Sequence, residues 1–338
     1  MTESPRDPGV SGPPDTGTAA GPGSPRGALL GAMFLMATSA IGPGFITQTT
    51  DFTAKLGAAF AFAILVSILV DIAVQLNVWR VIGVSRLRAQ ELGNKVAPGA
   101  GWVLTVLVVA GGLVFNIANV SGAGLGLNAM LGLDAKIGGA ISALIAIAIF
   151  TIKRAGVALD RIVVVLGAVM ILMTAYVAIV SGPPVGPALR NAVLPDDVDF
   201  LAITTLIGGT VGGYITYAGA HRLLDSGRTG PEHVREVSRS SLQGILVTAV
   251  MRVLLFLAVL GVVSGGVSLA TANPPATAFE AAAGQVGLRM FGVILWAAAI
   301  TSVIGAAYTS VSFLTSENTS PRRRNLLTIE FSGISAAG

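Results

Sequence analysis

Long apolar stretches alternate with short polar segments along most of the chain. Eight of these stretches approach the roughly 20 residues that cross the hydrocarbon core of a bilayer. They are too long for strands and show no period-two alternation, so they predict helices. We therefore expect an all-α polytopic membrane protein. The predicted spans are residues 28–50, 57–79, 99–127, 136–152, 161–181, 200–221, 239–265 and 285–314.

Polar segments flank this transmembrane region of residues 28–314. Residues 1–27 are rich in Pro, Gly, Ser and Thr, and they lack the basic start and immediate apolar run of a cleaved signal. We expect them to form a disordered cytoplasmic tail. Residues 315–338 include the basic run Arg322 to Arg324 and are too short and too charged to span a bilayer. They are predicted to be a polar C-terminal tail.

The composition agrees with a membrane protein. The chain of 338 residues is 53% hydrophobic and only 11% charged, with a mean hydropathy of +0.79, whereas an ordinary soluble domain is roughly 25% charged. The absence of cysteine excludes disulfides, iron–sulfur ligation and thiolate zinc sites. Basic residues lie between the apolar runs rather than along one face, so the net charge of +4 does not predict a nucleic-acid partner.

The distribution of Lys and Arg predicts the orientation. Sixteen of the 21 basic residues fall on the side of the N-terminus if the chain crosses the bilayer at each predicted span. Cytoplasmic loops are enriched in Lys and Arg. We therefore expect a multi-pass protein of the cell membrane with a cytoplasmic N-terminus.

The first predicted span contains an interruption. Pro43 lies between Gly42 and Gly44 in mid-span, and four polar side chains follow at residues 47–50. Proline removes a backbone donor, and the freed peptide groups need protein or water because lipid offers no partner. Such a break is typical of a binding site, although a proline kink or a packing seam of small residues is the alternative.

The sixth predicted span contains a second interruption, at Gly208, Gly209, Gly212 and Gly213. The sequence Gly-Tyr-Ile-Thr after it echoes Gly-Phe-Ile-Thr after the first break, and five spans separate the two copies, so they would run in opposite directions. This predicts an inverted-repeat transporter, although two unrelated packing seams remain an alternative. The predicted substrate-binding residues are Gly42, Pro43, Gly44, Phe45, Thr47, Gln48, Thr210, Gly212, Gly213, Tyr214 and Tyr217.

Other polar residues lie within predicted spans. Such residues are costly in a bilayer and usually face a bundle interior or a cavity, where they serve in structure, in coupling or in substrate contact. An arginine facing the cavity would repel a metal cation and attract an anion. The motif Gly122-Ala-Gly-Leu-Gly126 lies within an apolar span, so it predicts close helix packing rather than a nucleotide loop. The candidate coupling or intramembrane polar residues are Asp71, Asn116, Asn119, His221 and Arg252.

The run Gly42-Pro43-Gly44-Phe45, the segment Gln90-Glu91-Leu92 and the glycine-rich sixth span together resemble the natural resistance-associated macrophage protein (NRAMP) family. The resemblance implies divalent-metal transport on a LeuT-like inverted repeat, with repeat one at about 28–181 and an incomplete repeat two at about 200–314. Such a fold has ten or eleven helices, so eight suggest a C-terminally truncated chain. In that family the breaks read Asp-Pro-Gly-Asn and Met-Pro-His. Here Gly42, Phe45 and Gly212 occupy the positions that match the family's metal ligands.

The neutral residues at these breaks leave the cargo open. Divalent cations prefer carboxylate, imidazole or thioether ligands, and the breaks offer hydroxyls, an amide and backbone carbonyls. The leading hypothesis is a secondary-active, NRAMP-like carrier of a divalent metal, with or without coupling to protons. The alternatives are a carrier of a small organic anion or amino-acid-like solute, or a truncated pseudo-transporter without flux. No catalytic set and no cofactor motif is present, so we predict no enzyme activity.

Overall fold

A computed structural model describes residues 25–151, 155–271, 273–316 and 319–337, and within these residues the chain is helical, without strands. The disordered tail predicted for residues 1–27 lies almost entirely outside the described residues. The helices are α1 (Pro25–Ala40), α2 (Pro43–Leu56), α3 (Phe60–Ser85), α4 (Ala89–Val96), α5 (Ala100–Leu131), α6 (Ala135–Thr151), α7 (Ala155–Val180), α8 (Val185–Val193), α9 (Phe200–Val211), α10 (Ile215–Asp225), α11 (Val234–Ser264), α12 (Pro274–Leu314) and α13 (Pro321–Ala337), with short 3-10 turns at Gly57–Ala59 and Pro231–His233.

The predicted apolar stretches coincide with helices. Five helical segments of the described residues are long and apolar enough to cross a membrane, or six if the bent pair Val164–Val180 and Val185–Val193, with its 112° bend, is one span. Two shorter apolar helices, Leu29–Ala40 and Ala135–Ile149, account for the remaining predicted stretches. The all-α membrane fold predicted from the sequence is therefore confirmed.

Both predicted interruptions are present. The first span divides into α1 and α2, where Gly42 has extended backbone angles and Pro43 begins α2 at a position that needs no N–H donor. The sixth span divides into α9 and α10, where Gly212 is extended and Gly213 has a φ of +56°. That positive φ suits glycine because it has no Cβ.

Helix α12 lies at the centre of the bundle and packs most extensively on α5. Glycines allow this close approach: a Cβ on Gly126 would lie 2.6 Å from the Trp296 backbone nitrogen, and one on Gly292 would lie 2.5 Å from that of Met130. Gly122 in the same motif leaves room for Pro43 of α2. The glycines of residues 122–126 therefore serve packing, as the sequence predicted.

The C-terminal tail predicted as a polar segment contains a helix. Helix α13 packs against α5, α6 and α12, and its Phe331, Thr328, Ser332 and Ser335 side chains are buried. Its buried face is mostly hydroxyl-bearing, which explains why the hydrophobic pattern did not reveal it. Asn116 of α5 donates to the Ser335 hydroxyl at 2.9 Å, so this contact is partly polar.

Candidate functional site

The end of α1 loses its helical hydrogen bonds at the first break, and side chains replace them. The Ser302 hydroxyl of α12 donates to the Thr38 carbonyl at 3.0 Å. The Tyr214 hydroxyl donates to the Ser39 carbonyl at 3.3 Å. Carbonyls freed by a helix break need such partners inside a membrane. The first break is thus built into the protein interior rather than exposed to acyl chains on all sides.

The Tyr214 bond also joins the two breaks. Tyr214 precedes α10 directly and is only 1% exposed, and its hydroxyl reaches the last turn of α1. Gln48 of α2 lies against α9, because its Oε1 atom is 2.9 Å from the position that a Cβ on Gly209 would occupy. The structure therefore brings together the two interruptions that the sequence placed five spans apart.

One side of each break is open. Gly44 and Thr47 of α2 are exposed, as are Gly208 and Gly213 at the second break, whereas the neighbouring Phe45 is buried. Backbone groups next to a break are costly in hydrocarbon, so their open side is expected to face water. The predicted residues Gly42, Pro43, Gly44, Phe45, Thr47, Gln48, Thr210, Gly212, Gly213 and Tyr214 all lie at this paired break.

Arg252 of α11 contacts residues next to both breaks. Its guanidinium carbon lies 4.1 Å from the centre of the Phe45 ring, and its Nη2 donates to the Thr210 hydroxyl at 3.1 Å. Phe45 lies three residues after Gly42, and Thr210 lies two residues before Gly212. The predicted intramembrane arginine is therefore part of the paired break.

Asp71 of α3 is a second buried charged residue near Arg252. Its carboxylate is close enough to Arg252 for the two charges to interact electrostatically. The side chains of Asp71 and Arg252 are 1% and 2% exposed, but the described residues contain no direct salt bridge between them. Gln75, one turn further along α3, donates instead to the Ser241 carbonyl at 2.9 Å. Asp71 and Arg252 are thus two nearby buried charges without a direct bond in the described residues.

The two asparagines of α5 separate. The Asn119 side chain reaches the first break, with its Oδ1 atom 3.2 Å from the position of a Cβ on Gly42, and it also lies beside Tyr214. Asn116 turns towards α13, where it binds Ser335. Only Asn119 therefore joins the candidate site, although both residues share one helix face in the sequence.

His221 and Tyr217 belong to a second polar region at the end of α10. The His221 Nε2 atom accepts from the Ala89 backbone N–H at 3.3 Å, which leaves Nδ1–H to donate to the Ser312 hydroxyl at 2.7 Å. Tyr217 packs edge-on against Phe313, with ring centres 5.2 Å apart. The structure does not bring either side chain to the breaks.

The same region contains a partly buried ion pair that the sequence pattern did not reveal. Arg88 donates to Asp225 at 2.6 Å and to the Ser312 carbonyl at 2.9 Å, and the Tyr308 hydroxyl donates to Asp225 at 2.6 Å. In the sequence Arg88 is one of the sixteen basic residues that predict the orientation, but its side chain is only 4% exposed. We call this group the Arg88 cluster; its members are Arg88, His221, Asp225, Tyr308 and Ser312.

Metal ligands are scarce at the breaks. The described residues contain no group of three or more His, Cys, Asp or Glu side chains that could hold a metal ion. Gly42, Phe45 and Gly212 offer no side-chain oxygen, nitrogen or sulfur. A metal ion at this site would depend on backbone carbonyls, hydroxyls, the Gln48 amide and the single carboxylate of Asp71.

Several buried polar atoms at the breaks have no hydrogen-bond partner in the described part of the chain. They are Arg252 Nη1, Asn119 Nδ2, Gln48 Oε1, Asp71 Oδ1 and Thr216 Oγ1. Buried polar atoms without partners are few in folded proteins, and each one calls for an explanation such as a bound group or water. Two apolar cavities, of about 190 and 330 Å³, lie elsewhere: one between α3, α8 and α11, the other beside Arg289.

Comparisons with known proteins identify a matching family and similar membrane proteins. The family model described as natural resistance-associated macrophage protein-like matches residues 33–337. An uncharacterized membrane protein of Bacillus subtilis is 59% identical over 285 residues, covering 84% of this chain and 70% of the relative. One from Haemophilus influenzae is 57% identical over 311 residues, covering 92% and 78%.

Solved structures share the fold. A manganese transporter of Eremococcus coleocola matches with a TM-score of 0.66 and 17% identity, covering 90% of this chain and 69% of that protein. MhsT in complex with L-phenylalanine matches with a TM-score of 0.54 and 16% identity, covering 93% and 79%. Together with the paired breaks, these matches confirm the LeuT-like helix bundle expected from the sequence.

Proposed function

The chain belongs to the natural resistance-associated macrophage protein-like family, and we propose that it is a secondary-active transporter whose cargo binds between the two helix breaks. The observation that carries this proposal is the adjacency of the breaks, which the Tyr214 hydroxyl joins by binding the Ser39 carbonyl. Two broken helices meeting within a bundle are typical of transporter folds in which half-helix ends and unwound backbone bind the solute.

Transport requires that the break be reached alternately from the two sides of the membrane. In this proposal the N-terminus is cytoplasmic, the protein lies in the cell membrane, and the Arg88 cluster closes the cytoplasmic end. The cluster joins the start of α4 to the ends of α10 and α12. A buried ion pair of this kind is an element that can break and re-form when helices move apart.

Two classes of cargo follow from different observations. Family membership and the manganese transporter of known structure favour a divalent metal cation. Coupling to protons is a further part of this proposal. The residues at the breaks supply no carboxylate, imidazole or thioether at the three positions that match the family's ligands. Arg252 instead favours a solute that carries a carboxylate, and the same fold holds L-phenylalanine in MhsT.

Thiol labelling tests the proposed access to the breaks, because the chain contains no cysteine. Thr47→Cys introduces a thiol on the open side of α2, and Leu69→Cys serves as a control on an exposed apolar position of α3, 59% exposed. A membrane-impermeant thiol reagent should label Thr47→Cys and leave Leu69→Cys unlabelled. Equal protection of both thiols from either side of the membrane would contradict an aqueous path to the breaks.

Uptake into proteoliposomes tests transport itself. Vesicles that contain the full chain should accumulate either radioactive Mn²⁺ or a labelled carboxylate faster than protein-free vesicles do. Labelling of Thr47→Cys without uptake of any offered solute would favour the pseudo-transporter, which keeps the fold but moves nothing.

A further inference from the structure

The strongest unassigned feature of the molecule is the free donor of Arg252. Nη2 is committed to Thr210, and the guanidinium plane rests on the Phe45 ring at 4.1 Å. Nη1 is buried and has no partner among the described residues. A guanidinium fixed on two sides with one nitrogen free is oriented for an incoming acceptor.

Arg252 lies between the two breaks, where the proposed function places the cargo. Phe45 belongs to the first turn of α2, directly after the first break, and Thr210 belongs to the last turn of α9, directly before the second. Arg252 therefore bridges the two half-helices whose movement transport requires. A ligand bound to Nη1 would therefore influence the positions of both α2 and α9.

Asp71 does not account for the free donor. Among the described residues no hydrogen bond or salt bridge joins it to Arg252, whose Nη2 donates to the Thr210 hydroxyl, and that hydroxyl donates to the Leu206 carbonyl at 2.8 Å. This arrangement keeps the two charges near each other without direct contact. Asp71 thus balances the arginine charge within the bundle and leaves Nη1 available.

Two further features of the site favour an anion. Helix α2 begins at the break with Pro43 and has no side-chain cap at Gly42, so the positive end of its dipole and its first N–H groups are open at the site. Asn119 Nδ2 beside Gly42 is a second buried donor without a partner. Donors and a helix N-terminus attract an anion and repel a cation.

We propose that the paired break binds a small monocarboxylate, with Arg252 Nη1 as its principal donor and the start of α2 as the second. The inference rests on the proposed transport function and names its cargo class. The site offers one guanidinium group, opposed by the nearby Asp71, and one helix N-terminus, so a single negative charge suits it better than a phosphate dianion does. A divalent metal would meet Arg252 without any cluster of acidic ligands to compensate.

Uptake and thiol protection in proteoliposomes test this assignment. The probes are labelled acetate, lactate, alanine and phenylalanine, with Mn²⁺ and inorganic phosphate as competing classes. We expect saturable uptake of at least one monocarboxylate and protection of Thr47→Cys by the same compound. Arg252→Gln should raise the half-saturation concentration of that monocarboxylate by roughly ten- to a hundredfold, because a hydrogen bond to a charged group is lost. Arg252→Lys should retain part of the affinity, because lysine keeps the charge but lacks the planar guanidinium that can donate two parallel hydrogen bonds.

Two controls separate binding from folding. Arg190→Gln removes an exposed arginine, 62% exposed and paired with Asp196, and should leave half-saturation unchanged. Asp71→Asn removes the opposing charge and should tighten monocarboxylate binding several-fold. That opposite shift tests the assignment even if Arg252→Gln fails to reach the membrane.

The outcomes are distinct. Uptake of Mn²⁺ or phosphate without any monocarboxylate overturns the cargo assignment and leaves the proposed transport function in place. Monocarboxylate uptake that Arg252→Gln and Asp71→Asn leave unchanged overturns the role of Arg252. If no probe moves and Thr47→Cys cannot be labelled, both the cargo assignment and the proposed function are wrong.

Discussion

The Arg88 cluster makes a quantitative prediction about stability. Asp225→Asn changes one oxygen of a carboxylate to an amide and removes the charge that faces Arg88 across 2.6 Å. The Tyr308 hydroxyl, which donates to the other carboxylate oxygen at 2.6 Å, loses a charged acceptor as well. The substitution therefore leaves Arg88 buried, with only the Ser312 carbonyl and the new amide to satisfy it.

Burial sets the size of the effect. Removing one partner of a buried ion pair costs about 3–5 kcal/mol, because the remaining charge stays in a region of low dielectric. The Asp225 side chain is 18% exposed and the Arg88 side chain 4%, which places the expected loss near the lower end, at about 3 kcal/mol. That loss corresponds to roughly a hundredfold change in the equilibrium between the closed and opened cluster.

Reversible unfolding in mixed detergent micelles measures the loss for the whole chain. Asp196→Asn is the matched control, because it removes an equivalent charge from an exposed pair, with side chains 62% and 59% exposed, and exposed pairs contribute about 0–1 kcal/mol. Labelling of Ala89→Cys, at a position 7% exposed, reports local opening in the same background. Equal losses for Asp225→Asn and Asp196→Asn, with Ala89→Cys still protected, would refute the role assigned to the cluster.

Three further predictions concern single contacts. Gly219→Ala should lower the free energy of unfolding by about 1–3 kcal/mol in the micelle assay, because its Cβ would lie 2.2 Å from the Trp79 ring. Tyr214→Phe should cost about 0.5–1.5 kcal/mol in the same assay, because the Ser39 carbonyl at the first break then keeps only the 3.4 Å contact from the Ser302 hydroxyl. The hydrogen bond from Lys55, with the Ala202 N–H second, lowers the pKa of Asp199. Its stabilising effect should therefore be complete above the ordinary aspartate range and disappear as pH falls through the lowered pKa, a loss that unfolding at stepped pH should detect and Asp199→Asn should lack.

Each of these predictions has a control or a result that would contradict it. A Cβ on Gly208 meets nothing within 4 Å, so Gly208→Ala should be neutral or stabilising; a loss as large as that of Gly219→Ala would contradict the packing argument. Full stability in Tyr214→Phe would mean that the hydroxyl does not support the break. A loss on acidification that is equal in Asp199→Asn and the parent would assign it to other groups.

Local signals in the sequence predicted the paired break well. Gly42-Pro43-Gly44 specifies a helix start at Pro43, because proline suits the first helical position and the neighbouring glycine tolerates extended backbone. Gly213 similarly adopts the positive φ that ends α9. Each signal is contained in a few neighbouring residues, so no knowledge of the tertiary fold was needed.

Features that depend on tertiary contacts could not be predicted in this way. Arg88 follows a span and has the appearance of a loop charge, yet α10 and α12 enclose it. Asn116 and Asn119 share a face, but a face is wide enough to meet both α13 and the first break. Helix α13 buries hydroxyls rather than apolar groups, so its pattern resembles that of a solvated tail.

Photocrosslinking at residue 214 tests the central claim, that the two breaks meet inside the bundle, most directly. Tyr214→p-benzoylphenylalanine places a reactive ketone near the tyrosine hydroxyl, which lies 3.3 Å from the Ser39 carbonyl. After irradiation of the full chain in membranes, mass spectrometry should locate the crosslink in the last turn of α1, around Ser39. Crosslinks to lipid alone, or to helices other than α1 and the adjoining α5 and α12, would show that the breaks lie apart.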